Sequence, residues 1–146
     1  MLRFFFASFL ITCSFACTKK NNHTQSSQTS FEHNYSIEHN IKEDTLLVTV
    51  KLNKGFHAYG PGEKIGKAVD LRIASDNGWS ALGSPEIPKP QSKNLKEFGT
   101  AQIFENQFVV KQKLKHGIGI GKALLSLQIC TNESCDRPKV HELLLE

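Results

Sequence analysis

The chain has 146 residues, 39% of them hydrophobic and 22% charged, with a formal net charge of +4. That is the composition of one globular domain of ordinary size, and it excludes wholesale disorder. The lysines are spread along the chain rather than gathered in a stripe, so no nucleic-acid footprint is legible.

The N-terminus reads as an export signal. Met1-Leu-Arg3 supplies a positive start, and residues 4–16 are almost wholly apolar. The run is too short for a membrane-spanning helix, which needs about 20 residues, and has the length of a signal-peptide core. It ends in Ser14-Phe-Ala-Cys17, followed at once by Thr18-Lys-Lys. A small residue before a cysteine and then an abrupt polar switch resembles the processing site of bacterial lipoproteins, which implies lipidation of Cys17. Ser14 stands where that pattern usually has leucine. Cys13 is the rival acceptor, but it leaves a shorter apolar core and strands Phe15 outside the membrane. An ordinary cleaved signal with an incidental cysteine is the plainer alternative.

Residues 18–30 are rich in Lys, Asn, Gln, Ser and Thr without apolar periodicity, and read as a flexible tether. From Phe31 the pattern changes. Tyr35 and Ile37, then Leu46, Val48, Val50 and Leu52, alternate with polar residues at period two, the mark of half-buried strands; residues 41–45 form the turn between them. Three glycines and a proline interrupt residues 54–63, so 55–59 is a short strand opening into a loop. Val69, Leu71 and Ile73 alternate again and stop at the turn signal Ser75-Asp-Asn-Gly78. Trp79 and Leu82 lie on another short piece, with Trp79 read as core. Pro85, Pro88 and Pro90 impose an extended connector. Strands are expected over 101–105, 108–114, 123–129 and 140–145, with Gly117, Gly119 and Gly121 breaking the third from the second. No window carries a helical stripe. About eight or nine short strands make an all-β antiparallel sandwich over residues 31–146, with no room after the last strand for a second domain.

Chemistry concentrates in Gln128-Ile-Cys-Thr-Asn-Glu-Ser-Cys-Asp-Arg-Pro138. Cys130 ends one expected strand and Cys135 lies near the start of the next, so a tight loop can bring the sulfurs within bonding reach. If Cys17 is lipidated and Cys13 leaves with the signal, these are the only mature thiols, and export places them where a disulfide can form. Three readings compete. A dithiol–disulfide exchange site needs an attacking thiolate, a resolving cysteine and controlled access. A static staple is less apt, because closing a ring of about six residues is worth roughly 2 kcal/mol, against almost 5 kcal/mol for a ring of about 100. A metal site could recruit His116 and His141, but no histidine pair stands at ligand spacing, and His23, His33, His39 and His57 are scattered. Neither metal nor cofactor is expected. Glu133 and Asp136 oppose thiolate formation beside the pair, and Arg137 favours it.

Three segments carry a family resemblance: Gly55-Phe-His-Ala-Tyr59, Glu97-Phe-Gly-Thr-Ala-Gln-Ile-Phe-Glu105, and Cys130-Thr-Asn-Glu-Ser-Cys135-Asp-Arg-Pro138. In this order, over roughly residues 31–146, they resemble the N-terminal periplasmic domain of the thiol:disulfide interchange protein DsbD. The resemblance implies an immunoglobulin-like fold and thiol–disulfide exchange through Cys130 and Cys135, with Cys135 the one that attacks a partner. It implies a cap loop at Glu97, Phe98 and Gly99, with Phe98 the aromatic that shields the sulfurs and Tyr59 an aromatic beside them. It also implies a membrane-embedded thiol transporter as electron donor, on a separate chain, and thioredoxin-like periplasmic acceptors, which serve either misfolded secreted proteins or cytochrome c maturation. The best-known members have one more residue between the cysteines and a longer aromatic cap, which leaves Glu97 and Phe98 both eligible as the cap. The competing function is a β-sandwich binding or assembly lipoprotein with a structural disulfide.

Overall fold

A computed structural model describes residues 28–31 and 34–146. The expected signal segment, Cys13, Cys17 and most of the tether lie outside the described residues. The described residues form twelve strands: β1 (Gln28–Phe31), β2 (Tyr35–Lys42), β3 (Thr45–Leu52), β4 (His57–Tyr59), β5 (Asp70–Ala74), β6 (Ser80–Ala81), β7 (Gln91–Asn94), β8 (Thr100–Glu105), β9 (Gln107–Lys115), β10 (Gly121–Leu127), β11 (Ile129–Cys130) and β12 (Lys139–Leu145). Among the described residues one 3-10 turn, Lys96–Phe98, interrupts them. No helix among the described residues is long and apolar enough to cross a membrane.

The strands form three sheets, ordered β1-β2-β3-β9-β6, β12-β10-β5 and β11-β4-β8-β7. Every strand pairing is antiparallel. The first two sheets face each other as an immunoglobulin-like sandwich. Period-two alternation decides which side chains turn inward. Leu46, Val48, Val50 and Leu52 of β3 do so opposite Phe108, Val110 and Leu114 of β9, and they meet Leu71, Ala123, Leu125, Leu127, Leu143 and Leu145 of the second sheet. Trp79 is buried in this core, while Leu82 beside it is exposed.

Several boundaries differ from the sequence expectation, each for a local reason. The sheet begins at Gln28 rather than Phe31, because β1 adds its backbone to β2 in register Gln28↔His39 through Phe31↔Ser36. Strand β4 begins at His57, not Gly55: Gly55 has φ +91 and the Phe56 N–H donates to the Asn53 carbonyl, so the chain is still turning. The expected strand 123–129 is split at Gln128, where the chain leaves β10 and joins the third sheet as β11. Strand β7 has the polar sequence QSKN and no apolar alternation; backbone pairing with β8 alone makes it a strand.

The third sheet is the part that positions the site. One of its faces, with Ala58, Phe104 and Ile129, belongs to the main core. The opposite face carries Tyr59, Ala101, Ile103 and Cys130, which form a second buried cluster with Leu95.

Candidate functional site

Cys130 and Cys135 are joined in a disulfide with a Cα–Cα distance of 4.0 Å. The backbone explains the pairing. Thr131 N–H donates to the Ser134 carbonyl at 2.7 Å and Asp136 N–H to the Ile129 carbonyl at 2.9 Å. Cys130 and Cys135 thus form the non-hydrogen-bonded bridge of a small hairpin, the antiparallel position where facing side chains come closest. The turn is held by its own side chain: Thr131 Oγ1 accepts from the N–H groups of Glu133 at 3.2 Å and Ser134 at 3.1 Å, a local hydroxyl turn.

The two sulfur-bearing residues are not equivalent. Cys130 is 1% exposed, sealed among Tyr59, Leu95, Ala101 and Ile103. Cys135 is exposed, as are Glu133, Asp136, Arg137 and Pro138 around it. Tyr59 ties the cluster to the surface, since its hydroxyl lies 3.7 Å from Cys135 Sγ. A disulfide sulfur carries no proton, so the phenol is the donor here. Burial raises the Tyr59 pKa, and the charge of Glu63 raises it further, which keeps the phenol protonated and able to donate.

The loop between β4 and β5 holds Tyr59 in place. A side chain at Gly66 would meet the Tyr59 ring at 2.2 Å, so only glycine lets this backbone lie against the ring. Gln128 clips the loop to the cysteine hairpin: its Oε1 accepts from Lys67 N–H at 2.8 Å, and its Nε2 donates to the Asp136 carbonyl at 2.9 Å. Glu63 anchors the other end, accepting from the backbone N–H groups of Lys64, Ile65 and Gln102. Burial pushes the Glu63 carboxyl up, but those three donors outweigh it and hold the pKa below the usual carboxylate value.

The segment expected as the cap joins β7 to β8. Leu95 N–H donates to the Gly99 carbonyl at 2.8 Å, and Phe98 N–H to the Leu95 carbonyl at 2.9 Å. Gly99 sits at φ +74, where glycine alone is unstrained. Lys96 at φ +45 occupies the left-handed region without that freedom. Leu95 is the residue of this loop placed in the cluster with Cys130; Phe98 stands at the surface, 40% exposed. The Glu97 side chain lies outside the described residues.

His57 is the residue that sequence reading passed over as one scattered histidine. It is 1% exposed and stands directly opposite Cys130 in the β4–β11 register. Its other neighbour across the sheet is Glu105, which accepts from Lys93 Nζ at 2.5 Å and Gln91 Nε2 at 2.6 Å. Only position counting on a known strand register could have flagged it. His116 and His141, weighed above as metal ligands, are engaged elsewhere: His116 pairs with Asp44 at 3.2 Å and His141 with the Tyr35 hydroxyl at 2.9 Å. Among the described residues no group of three or more His, Cys, Asp or Glu side chains could hold a metal ion.

The family model described as "Thiol:disulfide interchange protein DsbD, N-terminal" matches residues 24–146. The chain belongs to this family. Membership makes it a thiol–disulfide exchange domain. Solved structures agree in fold. The DsbD N-terminal domain of Neisseria meningitidis in its reduced form is 18% identical with a TM-score of 0.59, covering 76% of this chain and 83% of that one. The same organism's complex between the DsbD and PilB N-terminal domains gives 18% identity and a TM-score of 0.58, over 75% of this chain and 80% of that one. The N-terminal periplasmic domain of ScsB from Proteus mirabilis gives 16% identity and a TM-score of 0.57 over 78% of this chain, which spans 47% of that protein. No curated protein matches the chain.

Proposed function

We propose that this domain relays electrons by dithiol–disulfide exchange at Cys130 and Cys135. The observation that carries the reading is the asymmetry of the bridge, with Cys135 at the surface and Cys130 sealed beneath it. A donor thiolate attacks Cys135 Sγ, the Cys130–Cys135 bond breaks, and its electron pair leaves on Cys130. The donor's second thiol then resolves the mixed disulfide and frees a dithiol. In the forward relay the Cys135 thiolate attacks an acceptor's disulfide, and Cys130 closes the ring again. Two electrons pass in each direction of exchange.

The remaining residues serve access and polarity. Tyr59 donates its phenolic hydrogen bond to the Cys135 sulfur, and in this reading the Glu97, Phe98 and Gly99 loop, with Leu95 at its base, covers the Cys130 side of the bridge and leaves Cys135 to a partner. The donor in this reading is a membrane-embedded thiol transporter, and the acceptors are thioredoxin-like proteins. The Neisseria complex of a DsbD N-terminal domain with a PilB N-terminal domain supports a protein acceptor docking on this fold. The periplasmic ScsB domain supports the same compartment, and the Ser14-Phe-Ala-Cys17 segment supports lipid anchoring at Cys17. A structural staple accounts less well for the bridge, because a ring of about six residues contributes only roughly 2 kcal/mol and one of its two cysteines, Cys135, is exposed.

Trapping tests the proposal. Cys130→Ser should accumulate a mixed disulfide through Cys135 with a thioredoxin-like partner, and Cys135→Ser should accumulate none. A bridge with a potential well below about −300 mV, and neither variant trapping a partner, would mark a structural disulfide instead.

A further inference from the structure

The face of the third sheet that carries Cys130 also carries a group with no assigned task. His57 faces Cys130 on one side and Glu105 on the other, and directly opposed residues of an antiparallel pair have Cβ atoms about 4.5–5.5 Å apart. Its Nε2 is buried and has no hydrogen-bond partner among the described residues. An orphaned buried ring nitrogen costs free energy in this state, and a catalytic role is one physical reason for such a group to be kept. His39, the other histidine with an unpartnered buried nitrogen, differs: its second nitrogen is bound to the Leu144 carbonyl at 2.8 Å, and its strand, β2, lies in another sheet from the cysteines.

We propose that His57 is the general base that takes the proton from Cys130 when this cysteine closes the disulfide. The inference rests on the exchange reading above. In the mixed disulfide between Cys135 and an acceptor, Cys130 is a buried thiol, and a thiol is a poor nucleophile until ionised. In the Nδ1–H tautomer, His57 Nε2 offers a bare lone pair. The Cys130 S–H bond breaks and the proton passes to Nε2. The electron pair left on Cys130 Sγ forms the Cys130–Cys135 bond, the Cys135–acceptor bond breaks, and its pair leaves on the acceptor's sulfur. The imidazolium then gives its proton to water. One acceptor disulfide is reduced and the domain's dithiol is oxidised, so electrons and protons balance.

The charged and titratable groups facing His57 suit a base that starts neutral. Burial lowers its pKa, and the Lys93 charge on β7 lowers it further, while the Glu105 carboxylate on β8 raises it. Tyr59, two residues along β4, packs edge-on with ring centroids 5.5 Å apart and remains a protonated phenol. Glu105 is placed to stabilise the imidazolium that forms when the proton arrives.

The test uses the reduced full domain and dithiobis(nitrobenzoate), whose released thiolate is coloured. Two releases are followed by stopped flow: the first as Cys135 attacks the reagent, the second as Cys130 displaces the label from Cys135. In the wild-type protein the second release should hold its rate down to a pH below the ordinary imidazole value of about 6.5. His57→Phe keeps a ring of similar size without the base. It should lower the ratio of second to first rate by about 100-fold at neutral pH, with the residual rate rising tenfold per pH unit. His57→Gln should behave alike, and it decides the matter if the phenylalanine variant does not fold. A folded variant with the wild-type ratio and pH profile would overturn the base assignment while leaving exchange intact. Absence of the second release in the wild-type protein would overturn exchange itself, and the base with it.

Discussion

Among the described residues the domain has two buried clusters, which meet only at the strands of the third sheet. The large one is shared by both sheets of the sandwich and holds side chains such as Val48, Val50, Val110 and Leu125 with no exposed surface. The small one, Tyr59, Leu95, Ala101, Ile103 and Cys130, lies on the outer face of the third sheet. Ala58, Phe104 and Ile129 face one way while Tyr59, Ile103 and Cys130 face the other, so the sheet separates the main core from the cluster that holds the disulfide. A redox bond must open and close without unfolding its host. Placing it in a separate cluster, within a hairpin that closes its own hydrogen bonds, meets that need.

Breaking the large cluster should have the greatest effect. Leu125→Ala is expected to cost about 2–5 kcal/mol in urea unfolding, equally in the oxidised and reduced forms, since Leu125 lies in the cluster that excludes the cysteines. A cost that depended strongly on redox state would merge the two clusters into one cooperative unit. Next comes Gly66→Ala, whose methyl group would fall 2.2 Å from the Tyr59 ring. We expect about 1–3 kcal/mol of destabilisation together with slower exchange at Cys135, read by alkylation rates of the reduced protein. Comparable in size, opening the Cys130–Cys135 ring should cost roughly 2 kcal/mol and leave the far-UV circular dichroism unchanged.

Smaller effects sharpen the boundary between the clusters. Tyr59→Phe removes the donor 3.7 Å from Cys135 Sγ and should lower the thiolate fraction at Cys135 about fivefold, the equivalent of about 1 kcal/mol, measured as the pH dependence of thiol alkylation. Smallest is the Glu63 anchor. Its folded-state pKa is depressed, so its contribution is fully present above the unfolded carboxyl value of about 4.3 and is lost as pH falls through the folded value. The stability gap between wild type and Glu63→Gln should therefore narrow on acidification through that range. A gap that widened there would contradict the role of the three backbone donors.

Much of this was legible in the chain. Period-two alternation at 46–52 and 108–114 located the two central strands because each has one face in the core and one in solvent. The four residues between Cys130 and Cys135 allowed a hairpin bridge, since so short a connection leaves few other ways to turn. Strand β7 was not legible: its polar side chains carry no burial signal, and only backbone pairing with β8 defines it. Nor was the break at Gln128, where the side chain's two hydrogen bonds reach segments 61 and 8 residues away in sequence. Nor was the burial of Leu95 beside Cys130, while Phe98 of the same 3-10 turn region stands at the surface, since the cluster is assembled from separate strands.

By itself, then, the sequence determined the alternating strands and the spacing of a cysteine pair, because both are local properties of neighbouring residues. Which cysteine is exposed, what lies beside each one, and that His57 faces Cys130 were decided by the tertiary structure alone. Strand register joins residues more than seventy positions apart, and nothing in either segment names its partner.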